Sequence, residues 1–296
     1  MKTRHERKEL DWHLGDIEQR CGFTGGKYTD VNTLFAVIVA GVLSAAFFIG
    51  LCYVPQQIRE TKYVAMILSR GWTPYVMVSL LILAGVILFV KWRKLAFQRK
   101  AIKIALVPPG VGFALTATTA QDVLAKLKEE VDDPKRFVLF NRIERALLNL
   151  KNVGNVSDVS EMLRAQAEND ESHTDSSYGL LSGIVWILPI LGFIGTVTGL
   201  SGAIGGFGAA LSSDASVASL KDSLTPVTAN LGVAFDTTFV ALVFAMVVQV
   251  FVVLLRKSEE RFLDECRDYA HVNVISRLKI ANGKDIEGSV EEDVAG

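Results

Sequence analysis

The chain has few of the residues that build metal sites or disulfide frameworks. It contains only three cysteines in 296 residues, and Cys21, Cys52 and Cys266 lie far apart in the sequence. There is no CxxC motif and no Cys/His pair, so the sequence indicates neither a zinc site nor a disulfide framework. None of the four histidines has metal-ligand spacing either, and we expect them on solvated surfaces.

The chain also lacks a dominant charge and the motifs of common enzymes. Its formal net charge is −1, so it has no basic footprint for nucleic acid, and no nucleic-acid partner is expected. It has no Walker loop, nucleophile elbow, HExxH motif or pair of carboxylates in a soluble region, which argues against an enzyme. The first 32 residues are charged and have no apolar core of a signal peptide, so we expect no cleaved leader.

Long apolar segments are what the chain has in abundance. Hydrophobic residues make up 50% of the composition, the mean hydropathy is +0.33, and the apolar residues are bunched rather than periodic. A membrane-spanning helix needs about 20 predominantly apolar residues. Four segments suggest such helices, and the second is the shortest: residues 34–54, 74–92, 179–211 and 229–256. The sequence therefore predicts an all-α polytopic membrane protein with four transmembrane helices.

The distribution of basic residues predicts the orientation of these spans. Lysine and arginine are concentrated in residues 1–33, in the 93–178 loop with the end of the second span, and in residues 257–296. The connection 55–73 carries fewer, and the connection 212–228 carries only Lys221. The positive-inside rule then places both termini and the large loop in the cytoplasm, which suits an even number of spans.

The cytoplasmic segments are predicted to be helical. Within the loop, the pattern predicts a helix over 121–131 and a second one that begins at Pro134 and ends near Gly154. A third helix is expected to be capped by Ser157 and Asp158 and to run through Glu168. After the fourth span, residues 257–280 are expected to continue its helix, and residues 281–296 are acidic and expected to be disordered. The charged residues of the loop and tail are expected to form mostly a solvated face, and they include Arg142, Glu144, Arg145, Glu259, Glu260 and Arg261.

Glycines recur at helical spacing in the third span. They are separated by 3, 4, 3 and 4 residues, which places them on one helix face: Gly192, Gly195, Gly199, Gly202 and Gly206. One interpretation is close helix–helix packing, because small residues let backbones approach each other in lipid. The alternative is a smooth surface on which a partner helix can turn.

Three of the polar residues within the last two spans are candidates for a role in the site, because polar groups at such depth usually serve function or pairing. Thr196 and Thr238 could moderate the cost of a carboxylate in a low-dielectric site, or each could bond to the carbonyl one turn back in its own helix. Asp236 has three interpretations. It could be an extra carboxylate on an ion pathway, a structural acceptor near the helix end, or a ligand for a cation other than a proton.

Two motifs resemble the MotA/TolQ/ExbB proton-channel family. WILPILGFIGTVTGL, residues 186–200, resembles the family's proline–glycine–GTV stretch, and LGVAFDTTFVAL, residues 231–242, resembles its alanine–x–x–x–threonine stretch. The resemblance covers a channel core of about residues 160–280. Four spans with a large loop between the second and third are similar to the flagellar MotA branch, whereas the GTV motif is closer to the TolQ/ExbB branch.

The resemblance implies a channel, or stator, subunit of an ion-driven motor in the bacterial inner membrane. Five copies would surround two copies of a single-span MotB/ExbD/TolR-like partner that carries a membrane aspartate. The transported ion is expected to be a proton, and no cofactor is implied. Thr196 and Thr238 match the two threonines that face the partner's carboxylate, and Pro189 matches the family's helix-bending proline, whereas Asp236 matches no general family residue. A non-conducting membrane scaffold remains the alternative. A secondary transporter is disfavoured because the two halves of the chain do not match.

Overall fold

The computed structural model describes residues 12–53, 71–104, 119–150, 156–212 and 217–278, together with residues 10, 55, 64, 67, 115 and 116. This part of the chain is helical apart from turns, connections and two isolated parallel bridges, which join Leu10 to Val131 and Leu115 to Leu278. The segment 281–296, which was predicted to be disordered, lies outside the described residues.

The described residues form nine α-helices. In chain order they are α1 (Trp12–Gly15), α2 (Ile17–Arg20), α3 (Thr33–Tyr53), α4 (Thr73–Ile102), α5 (Thr119–Glu130), α6 (Val138–Asn149), α7 (Val156–Ser176), α8 (Gly179–Ser212) and α9 (Val217–Asn273). Short 3₁₀ turns lie at Pro134–Arg136 and Ile275–Arg277.

Helices α3, α4, α8 and α9 contain apolar stretches long enough to cross a membrane. The all-helical class and the four candidate spans are therefore confirmed. Helix α9 begins at Val217, so most of the predicted connection 212–228 is helical. The polar residues of this connection interrupt the apolar pattern without breaking the helix, and Pro226 is accommodated within α9.

The second loop helix does not begin at Pro134 as predicted. Asp133 caps only a 3₁₀ turn, and the extended backbone of Phe137 separates that turn from α6. Gln98 stabilises this break because its amide nitrogen donates to the Arg136 carbonyl at 2.7 Å and its amide oxygen accepts from the Val138 N–H at 3.2 Å. The interruption therefore depends on a side chain of α4, which a local helix pattern does not include.

The third loop helix starts close to the expected position but ends later. Helix α7 includes Ser157 and Asp158 in its first turn, so neither is the residue before the helix. Asp158 suits the positive end of the helix dipole there. The helix continues beyond Glu168 to Ser176 because Val159, Leu163 and other residues on one face are buried along its length.

The described residues form two compact units. The loop unit comprises those of 1–32, 90–177 and 256–296, and the span unit comprises those of 33–89 and 178–255. The loop unit thus combines the three segments that the basic residues predict on one side of the membrane.

A buried hydrogen-bond network links the N-terminal segment to α6 and α7 within the loop unit. The Tyr28 hydroxyl donates to Asp170 at 3.0 Å and accepts from Asn141 at 2.7 Å. Asp170 also accepts from Arg142 at 2.8 Å and from Gln166 at 2.8 Å. Burial and the neighbouring Asp170 carboxylate raise the pKa of Tyr28 well above its ordinary value, so the phenol stays protonated and donates.

A second buried polar cluster holds α4 against the N-terminal segment and α9. The Lys94 ammonium lies 2.7 Å from Glu18 and 3.6 Å from Asp16. The Lys91 ammonium lies 3.7 Å from Glu259, and Glu259 also accepts a hydrogen bond from Thr29. Burial of these charges is costly unless they are paired, and each of these carboxylates has an ammonium close by.

The charged residues of the loop and tail were expected to form mostly a solvated face, and this is wrong for three of them. Arg142, Glu144 and Glu259 are buried, whereas Arg145 and Glu260 are exposed. Composition alone does not separate the two groups, because the partners come from distant parts of the chain.

We predict that Tyr28→Phe destabilises the protein by about 1–3 kcal/mol, because Asn141 and Asp170 lose a buried partner while the ring is kept. Thermal unfolding of the detergent-solubilised protein measures the effect. Tyr53→Phe is the matched control, since Tyr53 is 86% exposed. Equal stability of the two variants would contradict the prediction.

Candidate functional site

The glycine face of α8 packs directly against α9 within the span unit. A Cβ atom added at Gly192 would lie 2.6 Å from the Cβ of Ala241, and one added at Gly199 would lie 2.8 Å from the backbone nitrogen of Ala234. Both distances are too short for a real side chain. The two backbones therefore approach closely because these positions carry no side chain.

The same contact extends along both helices. A Cβ at Gly195 would lie 2.5 Å from the Thr237 hydroxyl, and one at Gly206 would lie 3.3 Å from Val227. At Gly202 it would lie 3.1 Å from the side-chain nitrogen of Asn230. Within the span unit, α9 therefore lies against the glycine face of α8 at all five positions.

The hydroxyls of Thr196 and Thr238 meet across this contact. They are within hydrogen-bond reach of each other, and either oxygen can be the donor. Each also reaches the same two carbonyls: Thr196 lies 3.1 Å from the oxygens of Gly192 and Ala234, and Thr238 lies 3.2 Å from both. The two threonines and the two carbonyls thus form one polar cluster, which we call the hydroxyl pair site.

The geometry allows both bonding within a helix and bonding between the two helices for these threonines. Gly192 lies one turn before Thr196, and Ala234 lies one turn before Thr238, so each hydroxyl can bond back to its own helix. Each hydroxyl also reaches the carbonyl of the opposite helix. Each hydroxyl has one hydrogen to donate. It can therefore donate to only one of its two carbonyls at a time, and the pair can switch between these alternatives.

Asp236 is not on the same face as the hydroxyl pair site. It is half-buried in α9, two residues after Ala234 and two before Thr238. On a helix of 3.6 residues per turn, a two-residue step rotates the side chain by about 200°. Asp236 therefore projects from the side of α9 opposite both residues.

Pro189 lies inside α8, which is one helix from end to end. Proline has no N–H to donate to the preceding turn, so it weakens the helix there. It lies one turn before Gly192, the first glycine in contact with α9.

The α9 side of the contact was not predicted from the sequence. Asn230, Ala234, Thr237 and Ala241 face the α8 glycines and follow one another at intervals of 4, 3 and 4 residues. Thr237 is buried and bonds back to the carbonyls of its own helix, at 2.9 Å from Val233. The spacing of these α9 residues resembles that of the glycines, and this pattern could have predicted that they face α8.

The hydroxyl pair site lies in the part of the chain that matches a known family. Residues 130–268 match the model of the MotA/TolQ/ExbB proton channel family, and this confirms the resemblance seen in the two motifs. Neither a curated protein nor a solved structure matches the chain. The chain therefore contains a segment similar to this proton channel family, and four helices of its described residues are long and apolar enough to cross a membrane.

We predict that Gly199→Ala destabilises the helix contact by about 1–3 kcal/mol, because a new methyl group would overlap the α9 backbone. Gly205→Ala is the matched control: it lies in the same helix, and a Cβ there meets no atom of the described chain within 4 Å. Thermal unfolding of both variants in detergent measures the difference. Gly199→Ala as stable as Gly205→Ala would refute the close approach.

Proposed function

We propose that the protein is the channel subunit of an ion-motive-force-driven motor complex and that it conducts protons past the hydroxyl pair site. The observation that carries the proposal is the meeting of Thr196 and Thr238 across two closely packed helices of the family-matched segment. These hydroxyls can donate to a charged carboxylate and accept from a neutral one.

Conduction past the hydroxyl pair site needs a titrating group that carries the proton, and in this complex that group belongs to a partner protein. Family members normally work as oligomers with a single-span partner. Here the complex is five copies of this chain around two copies of a MotB/ExbD/TolR-like protein with a membrane aspartate. It lies in the bacterial inner membrane with both termini of this chain in the cytoplasm. Proton flow through it performs mechanical work.

The partner's aspartate suits a site of this polarity. A carboxylate taken into a low-dielectric environment resists ionisation, so its pKa rises. Hydroxyl donors at the site lower the cost of the charged form, and hydroxyl acceptors receive a proton from the neutral form. The partner carboxylate could then both take up and release a proton as it passes.

The complex is tested by purifying the protein with the product of a neighbouring gene that encodes one span with an aspartate in it. Native mass spectrometry counts the subunits, and a five-to-two ring is the expected result. A monomer that captures no such protein would overturn the proposal.

We predict that Thr238→Val lowers proton flux by about tenfold or more, because valine keeps the volume but removes one of the two hydroxyls that meet at the site. The flux is measured with a pH-sensitive dye in liposomes that contain the assembled complex. Thr198→Val is the matched control, since Thr198 bonds only within its own helix among the described contacts, at 3.0 Å from the Ile194 carbonyl. Equal flux in both variants would exclude the hydroxyl pair site from the pathway.

Asp236 is tested in the same liposomes. We propose it as a second polar contact of the pathway, reached from the other side of α9. Asp236→Asn should then lower the flux while the subunit count stays unchanged. Unchanged flux would assign Asp236 to structure alone.

A further inference from the structure

The loop unit contains a cavity of about 220 Å³ between α6, α7 and the end of α9. Its basic lining residues are Arg142, Arg164, Arg267 and His271, and no acidic side chain is among the described residues that line it. The remaining lining is aliphatic apart from Ser160. The cavity is smaller than the roughly 300–1,000 Å³ sites of drug-sized ligands, so its ligand is small.

Arg142 is the buried basic residue in the lining of this cavity, and one of its guanidinium nitrogens has no hydrogen-bond acceptor among the described residues. Its side chain is only 1% exposed, and its Nε donates to Asp170 at 2.8 Å. Within the described part of the chain, its buried Nη1 donates to no acceptor. An unpaired buried donor is costly, and a guanidinium presents its donors in a planar fork that fits carboxylates and phosphates. An anion bound beside Arg142 would supply the acceptor that this nitrogen lacks.

Two more guanidinium groups lie at the open side of the cavity. Arg164 is paired with Glu168 at 3.1 Å, and Arg267 is paired with Glu171 at 3.7 Å. All four side chains are more than half exposed. Exposed pairs of this kind contribute little, so both arginines can turn towards an anion without a large loss.

We propose that this cavity binds a phosphate group carried by a small molecule or by a lipid headgroup. Arg142 holds the phosphate from the buried side, and Arg164 and Arg267 close over it from the rim. The aliphatic lining, which includes Leu163 and Ala167, contacts the apolar part of the ligand next to the phosphate. Three guanidinium groups around one small cavity favour a doubly charged oxyanion over a singly charged carboxylate. Its residues belong to the loop unit, whereas Thr196 and Thr238 belong to the span unit, and the test below does not require ion conduction.

The test uses phenyl phosphate as the probe and the full-length protein purified in detergent. Isothermal titration calorimetry should show saturable binding of phenyl phosphate. Arg267→Gln should weaken that binding by about tenfold, because one charge-assisted contact is lost. Arg142→Lys should weaken it at least as much, since the fork of donors is removed. If Arg142→Lys does not fold, the exposed position Arg267 still decides the question.

Arg145→Gln is the matched control. Arg145 is exposed, lies in the same helix as Arg142, and pairs with Gln166 rather than lining the cavity. The affinity for phenyl phosphate should change by no more than about twofold in this variant. No saturable binding, or equal weakening in Arg145→Gln and Arg267→Gln, would overturn the proposal and leave only nonspecific attraction to basic side chains.

The source of the phosphate is resolved by repeating the titration in phosphatidylcholine nanodiscs with and without phosphatidic acid. If phosphatidic acid competes with phenyl phosphate in the wild type but not in Arg267→Gln, the natural ligand is a lipid headgroup. If phenyl phosphate binds equally well in both nanodiscs, the ligand is a soluble phosphate compound. Either result supports the site, and loss of binding in both kinds of nanodisc overturns it.

Discussion

The close approach of α8 and α9 is the constraint on which the rest of the span unit depends. At Gly192, Gly195 and Gly199 the space of a side chain is occupied by α9 itself. In lipid there is no hydrophobic gain from joining two apolar helices, so van der Waals contact and hydrogen bonds must hold them together. Only at this short separation can Thr196 and Thr238 reach both their own and the opposite carbonyls. Larger side chains on the glycine face would therefore remove the polar cluster as well as the packing.

The sequence predicted those features that depend on local composition or periodicity. Four apolar helices, the single face of the glycines and the two threonines could all be read from spacing, because a helix fixes which residues lie side by side. The break at Phe137 could not be predicted, since Gln98 from another helix satisfies the backbone there. The extent of α9 was missed because low hydropathy marks where a segment leaves lipid and not where a helix ends. Arg142 and Glu259 were misjudged because their partners are remote in sequence.

The loop unit is held together by buried polar contacts as much as by apolar packing. Trp12 and Tyr28 are almost fully buried, so the N-terminal segment is part of this unit's core and not a charged extension of it. Tyr28 connects this segment to α7 through Asp170, and Asp170 also fixes Arg142. Cys266 is buried in the same unit, and burial raises the pKa of its thiol to about 12, so it packs as an apolar side chain. One carboxylate thus orients the arginine that faces the cavity.

The number of hydrogens that Thr196 and Thr238 can donate limits which hydrogen bonds the cluster can form. Two hydroxyls supply two hydrogens, while the two hydroxyl oxygens and the carbonyls of Gly192 and Ala234 offer more lone pairs than those hydrogens can occupy. The cluster is therefore short of hydrogens. A group that donates a hydrogen bond can use a lone pair that is still unoccupied. A group that only accepts hydrogen bonds requires a hydroxyl to turn away from its present acceptor. Where a carboxyl group approaches these two threonines, the cluster accepts a hydrogen bond from its protonated form more readily than it donates one to its charged form.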